Sequence, residues 1–521
     1  MAIGVARRAS AQSRQQSAVI KSVQAPSGGV NARDAIAAMP DTDALVLDNW
    51  FPTPSYVALR NGSIAWATGM VNPVETVAAY NGLPTRKLFS WAGANIYDTT
   101  AQGAVGAALV TGLSNARWQT AMFNAGGGNM LIAVNGADAP QFYNGTTWAA
   151  TTISGAGLTP SNLITVTVFK QRCWYIENNT MNVWYATVTG FQGVLTLLPL
   201  GAIFKMGGTL MQMATWTIDN VSGINDYAAF ITSEGEVAVY QGYDPSSVAT
   251  WSLVGVFRIG RPIGRRCIMK FGSDVLVICT DGLAPLSKEL LTDRTQPDAL
   301  LTNKIINAIN SDAATYGGNF GWQCIEHPLG NKLILNVPEG VNTTAHQWVM
   351  NTVSTSNAWC RFRNWNANCW EVQQDNLYYG GQGGVLYLAD VGTTDNGAAI
   401  LCDGKPAFSY FGSEDQKRFL MARPIFRSSA NLNVVPIILN LDFGDVMSPG
   451  PPSNVGAVSP WNTSPWNTTP WSSQVPTYQI KNWLGVSGIG AAASGRFSFL
   501  ASNIALQWQS VDYLFEPGGP L

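Results

Sequence analysis

Few residue types in this chain could carry chemistry. There are two histidines, His327 and His346, and seven cysteines at Cys173, Cys267, Cys279, Cys324, Cys360, Cys369 and Cys402. A zinc site needs ligands brought together at tetrahedral spacing, and no Cys-x-x-Cys pair or His-Cys spacing provides it. Five of the cysteines sit in apolar or aromatic runs, such as Cys173-Trp174-Tyr175, and read as reduced, buried thiols. Serine or cysteine nucleophiles usually need a histidine partner, and both histidines fall in apparent loops with no elbow motif nearby. Glycoside hydrolysis needs two carboxylates about 5–9.5 Å apart. Candidates such as Asp219 with Asp226, or Glu234 with Glu236, sit beside turn residues, where solvation at a strand end is the default. No repeated Ser-x-Asp-x-Gly-x-x-Trp box marks a sialidase-type propeller. Gly126-Gly127-Gly128 does not precede a helix, so it reads as a turn and not as a phosphate cradle. The reading is of a chain that is not an enzyme and needs no cofactor or metal.

Two further constellations remain. Trp461, Trp466 and Trp471 recur in a Trp-Asn-Thr unit with proline every five residues. They could stack sugars, but the prolines forbid a central strand and favour an extended, apolar-anchored arm. Arg258, Arg261, Arg265 and Arg266 form a short basic cluster. With 30 basic against 32 acidic residues the net charge is −2, and no basic stripe appears. Phosphate neutralisation needs such an excess, so the cluster reads as solvated strand ends or interface charge.

The elements that would hold these residues are β-strands. Charged residues are 12% of the chain against about 25% in an average globular protein, while hydrophobic residues reach 46%. Such a surface has little charge repulsion to keep copies apart, which fits a subunit of a fixed assembly. Fifty-two glycines and 27 prolines without a short period suit many turns. The clearest helical pattern is Thr302 to Asn310. From Leu88 to Tyr387, seven apolar-aromatic segments recur, each followed by a turn and a second strand. They begin at Leu88, Met130, Cys173, Ala228, Val275, Lys332 and Asn376, roughly 40 to 57 residues apart, the range of four-stranded propeller blades. The first strand of each hairpin is expected nearest the axis, with the aromatic ending the second on the face between blades. The expected fold is all-β, a propeller of six or seven blades plus a platform of N- and C-terminal strands. The expected divisions are a polar arm at 1–27, N-terminal platform strands at 28–75, the propeller at 76–400 and a C-terminal β domain at 401–521. No signal peptide or apolar run of membrane-spanning length is visible, so no stable membrane insertion is expected.

Both ends carry a motif. The first runs through Gly28, Gly29, Asn31, Arg33, Asp34, Asp48, Asn49, Trp50, Pro52, Arg60 and Gly62; the second includes Arg418, Arg423, Pro424 and the three tryptophans of the repeat. From its residues alone the first is a compact, well-packed loop. Together the two ends resemble the tail nozzle proteins of short-tailed phages, the group of tail tubular protein B. That resemblance implies a structural subunit of the virion tail, assembled in the host cytoplasm as a ring, usually of six copies. It also implies contacts with a tail adaptor and with tail fibre or spike proteins, and a genome that passes without sequence-specific binding. The competing expectation is a carbohydrate-binding or carbohydrate-cleaving propeller that reads a host receptor.

Overall fold

In a computed structural model of the chain, the described residues are 17–220, 223–288, 297–354, 357–432, 435–446, 450–455 and 478–518. The expected Trp461, Trp466 and Trp471 arm and most of the N-terminal arm lie outside them.

Seven antiparallel blades surround one axis. Blade 1 comprises Val74–Tyr80, Lys87–Ala92 and Asn95–Asp98. Blade 2 comprises Gln119–Ala125, Gly128–Val134, Gln141–Tyr143 and Trp148–Ala150; blade 3 comprises Leu163–Phe169, Arg172–Glu177, Asn182–Tyr185 and Thr196–Pro199. Blade 4 is built of Leu210–Asn220, Gly223–Thr232, Glu236–Gly242 and Trp251–Arg258, and blade 5 of Ile268–Phe271, Asp274–Cys279 and Gly282–Pro285. Blade 6 has Gln323–His327, Lys332–Pro338, Ala345–Asn351 and Trp359–Arg363. Blade 7 joins Cys369–Gln373, Asn376–Gly380 and Leu386–Ala389 to Ser63–Thr68 from the other end of the chain. Each blade packs on the next, and Cys369–Gln373 packs on Val74–Tyr80 to close the ring.

Apolar clusters fill the spaces between blades. Phe89, Trp91 and Tyr143 lie between blades 1 and 2, and Trp174, Tyr240 and Trp251 between blades 3 and 4. Trp251 stacks on Trp174 at 5.4 Å and on Tyr240 at 5.3 Å, geometry that adds to area burial. The aromatics that end the expected second strands, Tyr143, Tyr185 and Tyr240 among them, are buried in these clusters.

Four expectations need correction. The first strands of the recurring hairpins are second from the axis; the innermost strands precede them, beginning at Val74, Gln119, Leu163, Leu210, Ile268, Gln323 and Cys369. Second strands are covered on both faces and read as unbroken apolar runs, whereas an inner strand such as Gln119–Ala125 is only partly buried. The platform segment 28–75 is too long, since Ser63–Thr68 belongs to blade 7 and Val74 opens blade 1. The helical pattern at Thr302 forms a 3-10 turn, Asn303–Ile305, running into a helix at Ile306–Tyr316. Finally, His327 and His346 lie on strands of blade 6, and both are buried.

The platform is two sheets. One orders Trp50–Pro52, Val57–Leu59, Leu506–Pro517 and Lys417–Ser428, with Val19–Gln24 also pairing to Leu506–Pro517. The other orders Asp43–Asp48, Ile400–Pro406, Ala493–Ser502 and Ile438–Leu441. Trp50, Phe426, Phe497, Phe499 and Trp508, all essentially fully buried, pack together in the core. Asp43–Asp48 also meets blade 6 through one parallel pair, Asp48 with Arg361, so sheet structure continues from blade into platform.

Candidate functional site

The N-terminal motif lies along the seam where blade 6 meets the platform. At Asn31 the side-chain oxygen accepts from the N–H groups of Arg33 and Asp34, both at 3.1 Å, an Asx turn. Its amide donates to Asp34 and to buried Asp43, each at 2.8 Å. Arg33 donates to Asp34 at 2.7 Å, and this bond together with the Asn31 amide holds the Asp34 carboxyl down at about 2. Lys304, from the turn ahead of the helix, donates to the Gly28 carbonyl and to Asp43, both at 2.6 Å. Gly28 and Gly29 leave no room for a side chain. A Cβ on Gly28 would stand 2.3 Å from Asp43 Oδ1, and one on Gly29 would stand 2.6 Å from the backbone N and O of Trp359. Gly29 also has φ +80°, which favours glycine.

The middle of the motif is a polar knot. Asp48 receives a two-pronged bond from Arg361, Nε at 2.7 Å and Nη2 at 2.8 Å. Asn49, at φ 62°, donates to Leu401 O at 2.8 Å and accepts from Arg60 Nε and the Arg363 N–H, both at 2.8 Å. Arg60, whose side chain is 0% exposed, forks onto Asp395 at 2.8 and 2.6 Å. It further donates to the carbonyls of Asn61 and Arg363 and lies 4.5 Å over the Trp365 ring. One guanidinium thus binds the N-terminal loop, blade 6 and the segment after blade 7. Gly62 packs on Thr394, where a Cβ would overlap the backbone carbonyl.

Below the knot Trp50 stacks on Phe426 at 6.0 Å and meets Trp508 edge-on at 6.0 Å. The carbonyl of Pro52 accepts from buried Asn351 of blade 6 at 2.8 Å. Of the C-terminal motif, Arg423 binds Asp512 at 2.6 Å with its guanidinium 4.6 Å over Trp483, and Pro424 sits opposite Val511 in the same ladder. Arg418 and Glu516, 3.6 Å apart, are exposed and contribute little. The motif residues therefore run from the seam into one platform sheet, which holds both Trp50–Pro52 and Lys417–Ser428 as strands.

The residues singled out for catalysis are engaged elsewhere. Asp226 binds Lys170 at 2.7 Å and Thr217 at 3.0 Å, Glu234 binds Arg261 at 2.7 Å, and Glu236 accepts from the N–H groups of Lys205 and Met206. The Asp219 side chain lies outside the described residues. His346 is held between Glu339 at 2.9 Å and Asp312 at 3.2 Å. Burial pulls its pKa down, but the bonds to these two carboxylates outweigh burial and leave it raised. All seven cysteines are buried thiols outside any disulfide, and burial pushes thiols such as Cys267 up to about 12. Among the described residues no group of three or more His, Cys, Asp or Glu could hold a metal, and no helix is long and apolar enough to cross a membrane.

Sequence reasoning quoted Asp43 within the N-terminal segment but missed the other partners that complete the seam, namely Lys304, Arg361, Trp365 and Asp395. Asp395 is 335 positions from Arg60, and Arg361 is 313 from Asp48, so no local spacing announces either pair. It also misplaced half of the arginine cluster. Arg265 and Arg266 turn inward, toward the propeller axis, where they bond to Asn135, Asn178, Thr76 and backbone carbonyls.

No family model matches this sequence, and no curated protein matches it. Among solved structures, the chain is similar to BBS1N in complex with ARL6DN at 11% identity and TM-score 0.40, over 65% of this chain and 99% of that one. It is also similar to YCF48 bound to D1 peptide, at 11% identity and TM-score 0.34, over 67% and 98%. Raptor of Chaetomium thermophilum matches at 11% identity and TM-score 0.36, over 64% of this chain and 29% of that one. These likenesses concern the fold alone.

Proposed function

We propose that this chain is a structural subunit of a short-tailed phage's tail nozzle, repeated as a ring, commonly of six copies, below the tail adaptor. The supporting observation is how the resembling segment is spent. Within Gly28 to Gly62, Asp43, Asp48, Asn49 and Arg60 are spent on bonds that tie propeller to platform. A subunit that must transmit load between a platform and a propeller needs such a rigid joint. The low charge of the chain favours close packing of copies and weak retention of passing DNA. The pocket among the inner strands at the propeller axis, about 160 Å³, is far too small for a duplex, so in this reading the conduit of such a ring lies between copies. Adaptor and fibre or spike proteins are its partners in this reading, and the virion tail is its place.

Size-exclusion chromatography with light scattering, on the chain alone and with its adaptor, tests the assembly. Rings support the reading; a strict monomer under both conditions, absent from virions, contradicts it. The glycan-reading alternative rests on Trp461, Trp466 and Trp471, outside the described residues.

A further inference from the structure

At the axis of the propeller the inner strands line a partly open chamber of about 160 Å³, whose wall includes Thr76, Gln119, Gln212, Arg266, Gln323 and Glu371. Its charge is unbalanced. Arg266 Nη2 donates to the Glu75 carbonyl at 2.9 Å, to Thr76 Oγ1 at 2.6 Å and to the Trp118 carbonyl at 3.2 Å, all neutral acceptors. Its Nη1 is buried with no hydrogen-bond partner, and no carboxylate among the described residues stands at ion-pair distance. Neighbouring Arg265 likewise meets only neutral acceptors, Asn135 O at 3.1 Å and Asn178 Oδ1 at 3.4 Å. Glu75, the nearby acid, is committed to Arg117 at 3.0 Å and to Asn342 at 3.1 Å. That leaves Glu371. Burial pushes its carboxyl up to about 8, and neither the Val372 N–H nor the charge of Arg266 offsets it. Near neutral pH it is therefore mostly protonated. The two thiols in the wall stay neutral, Cys369 being pushed up to about 12 by burial and Cys324 higher still.

A partly buried cation without a counter-charge is costly, and the cost falls if an anion occupies the space beside it. The wall is rich in amide and hydroxyl groups, which suits an oxyanion and not an apolar ligand. The volume accepts one tetrahedral oxyanion with a few waters.

We propose that the axial chamber binds one small free oxyanion of the sulfate or phosphate class, with Arg266 as its principal ligand and Arg265 at its rim. Ionisation of Glu371 places a negative charge in the same chamber, so raising the pH opposes the anion and lowering it favours binding. Isothermal titration with inorganic sulfate, whose charge is constant from pH 6 to 9.5, is the direct test, at ionic strength fixed with chloride. One site per chain is expected, with affinity falling as the pH passes through about 8. Glu371→Gln should keep its affinity at pH 9.5, and Arg266→Gln should lose about tenfold or more. Because Arg266 also ties blades 1, 2 and 5 together, Arg266→Gln is read only if its circular dichroism matches the parent; otherwise Glu371→Gln decides. No heat from sulfate, or a pH dependence that survives in Glu371→Gln, would overturn the proposal. So would displacement of sulfate by a single-stranded oligonucleotide, because the ligand would then be a backbone phosphate.

Discussion

Arg60 shows at the residue scale why a seam of this kind is fragile to single changes. Its guanidinium is wholly buried, bonds to Asp395, Asn49 and two carbonyls, and stacks on Trp365. Removing one member of a buried pair strands the other, at a cost of about 3–5 kcal/mol. Arg60→Gln should lower stability by that amount in denaturant melts, while Arg418→Gln, on an exposed pair, should stay within about 0.5 kcal/mol. Gly29→Ala meets both a left-handed φ and the Trp359 backbone and should cost about 2–5 kcal/mol. Gly412, at φ +87° with open space around it, is the control, and its alanine variant should cost only about 1–2 kcal/mol. His346 provides a pH test. Its folded pKa is raised above the ordinary 6.5, so its contribution is fully present below 6.5 and is lost as pH rises through the folded value. The stability gap between parent and His346→Gln should therefore be wider at pH 6 than at pH 9.5; equal gaps at the two pH values would rule out a charged His346 between Asp312 and Glu339.

Elements differ in how plainly the sequence announces them. The hairpins beginning at Leu88, Met130, Cys173 and Ala228 were legible because strands covered on both faces must be apolar throughout, and turns punctuate them. Inner strands were not, because a wall facing the axis tolerates Gln119, Thr120 and Gln212 and so shows no clean period. Closure of the ring was equally hidden. Ser63–Thr68 pairs antiparallel with Leu386–Ala389, more than 300 positions away, and local pattern cannot carry that information. Because this strand latches the last blade to the first part of the chain, Ala67→Pro, at a buried position opposite Leu386, should cost about 3 kcal/mol or more. Thermal melts would show it, and an unchanged transition would mean that blade 7 does not depend on the latch.

For the whole molecule, composition spoke more clearly than any motif. A chain with 12% charged residues and recurring hairpins predicts an all-β body held by packing, and the seven-bladed propeller with its two-sheet platform is such a body. The candidate site was half legible. Gly28, Asn31, Asp48, Asn49, Trp50 and Arg60 stood out as a set, but their purpose became visible only when Asp395, Arg361 and Trp365 were brought beside them by the fold. The ring reading remains the central claim. On that proposal the chain comes from a short-tailed phage, and electron cryomicroscopy of that phage's virions tests it most directly. The account predicts a ring of copies at the tail tip below the adaptor, propellers and platforms arranged around an open channel. Particles whose tail lacks the chain, or carries it singly and away from the tail axis, would contradict it.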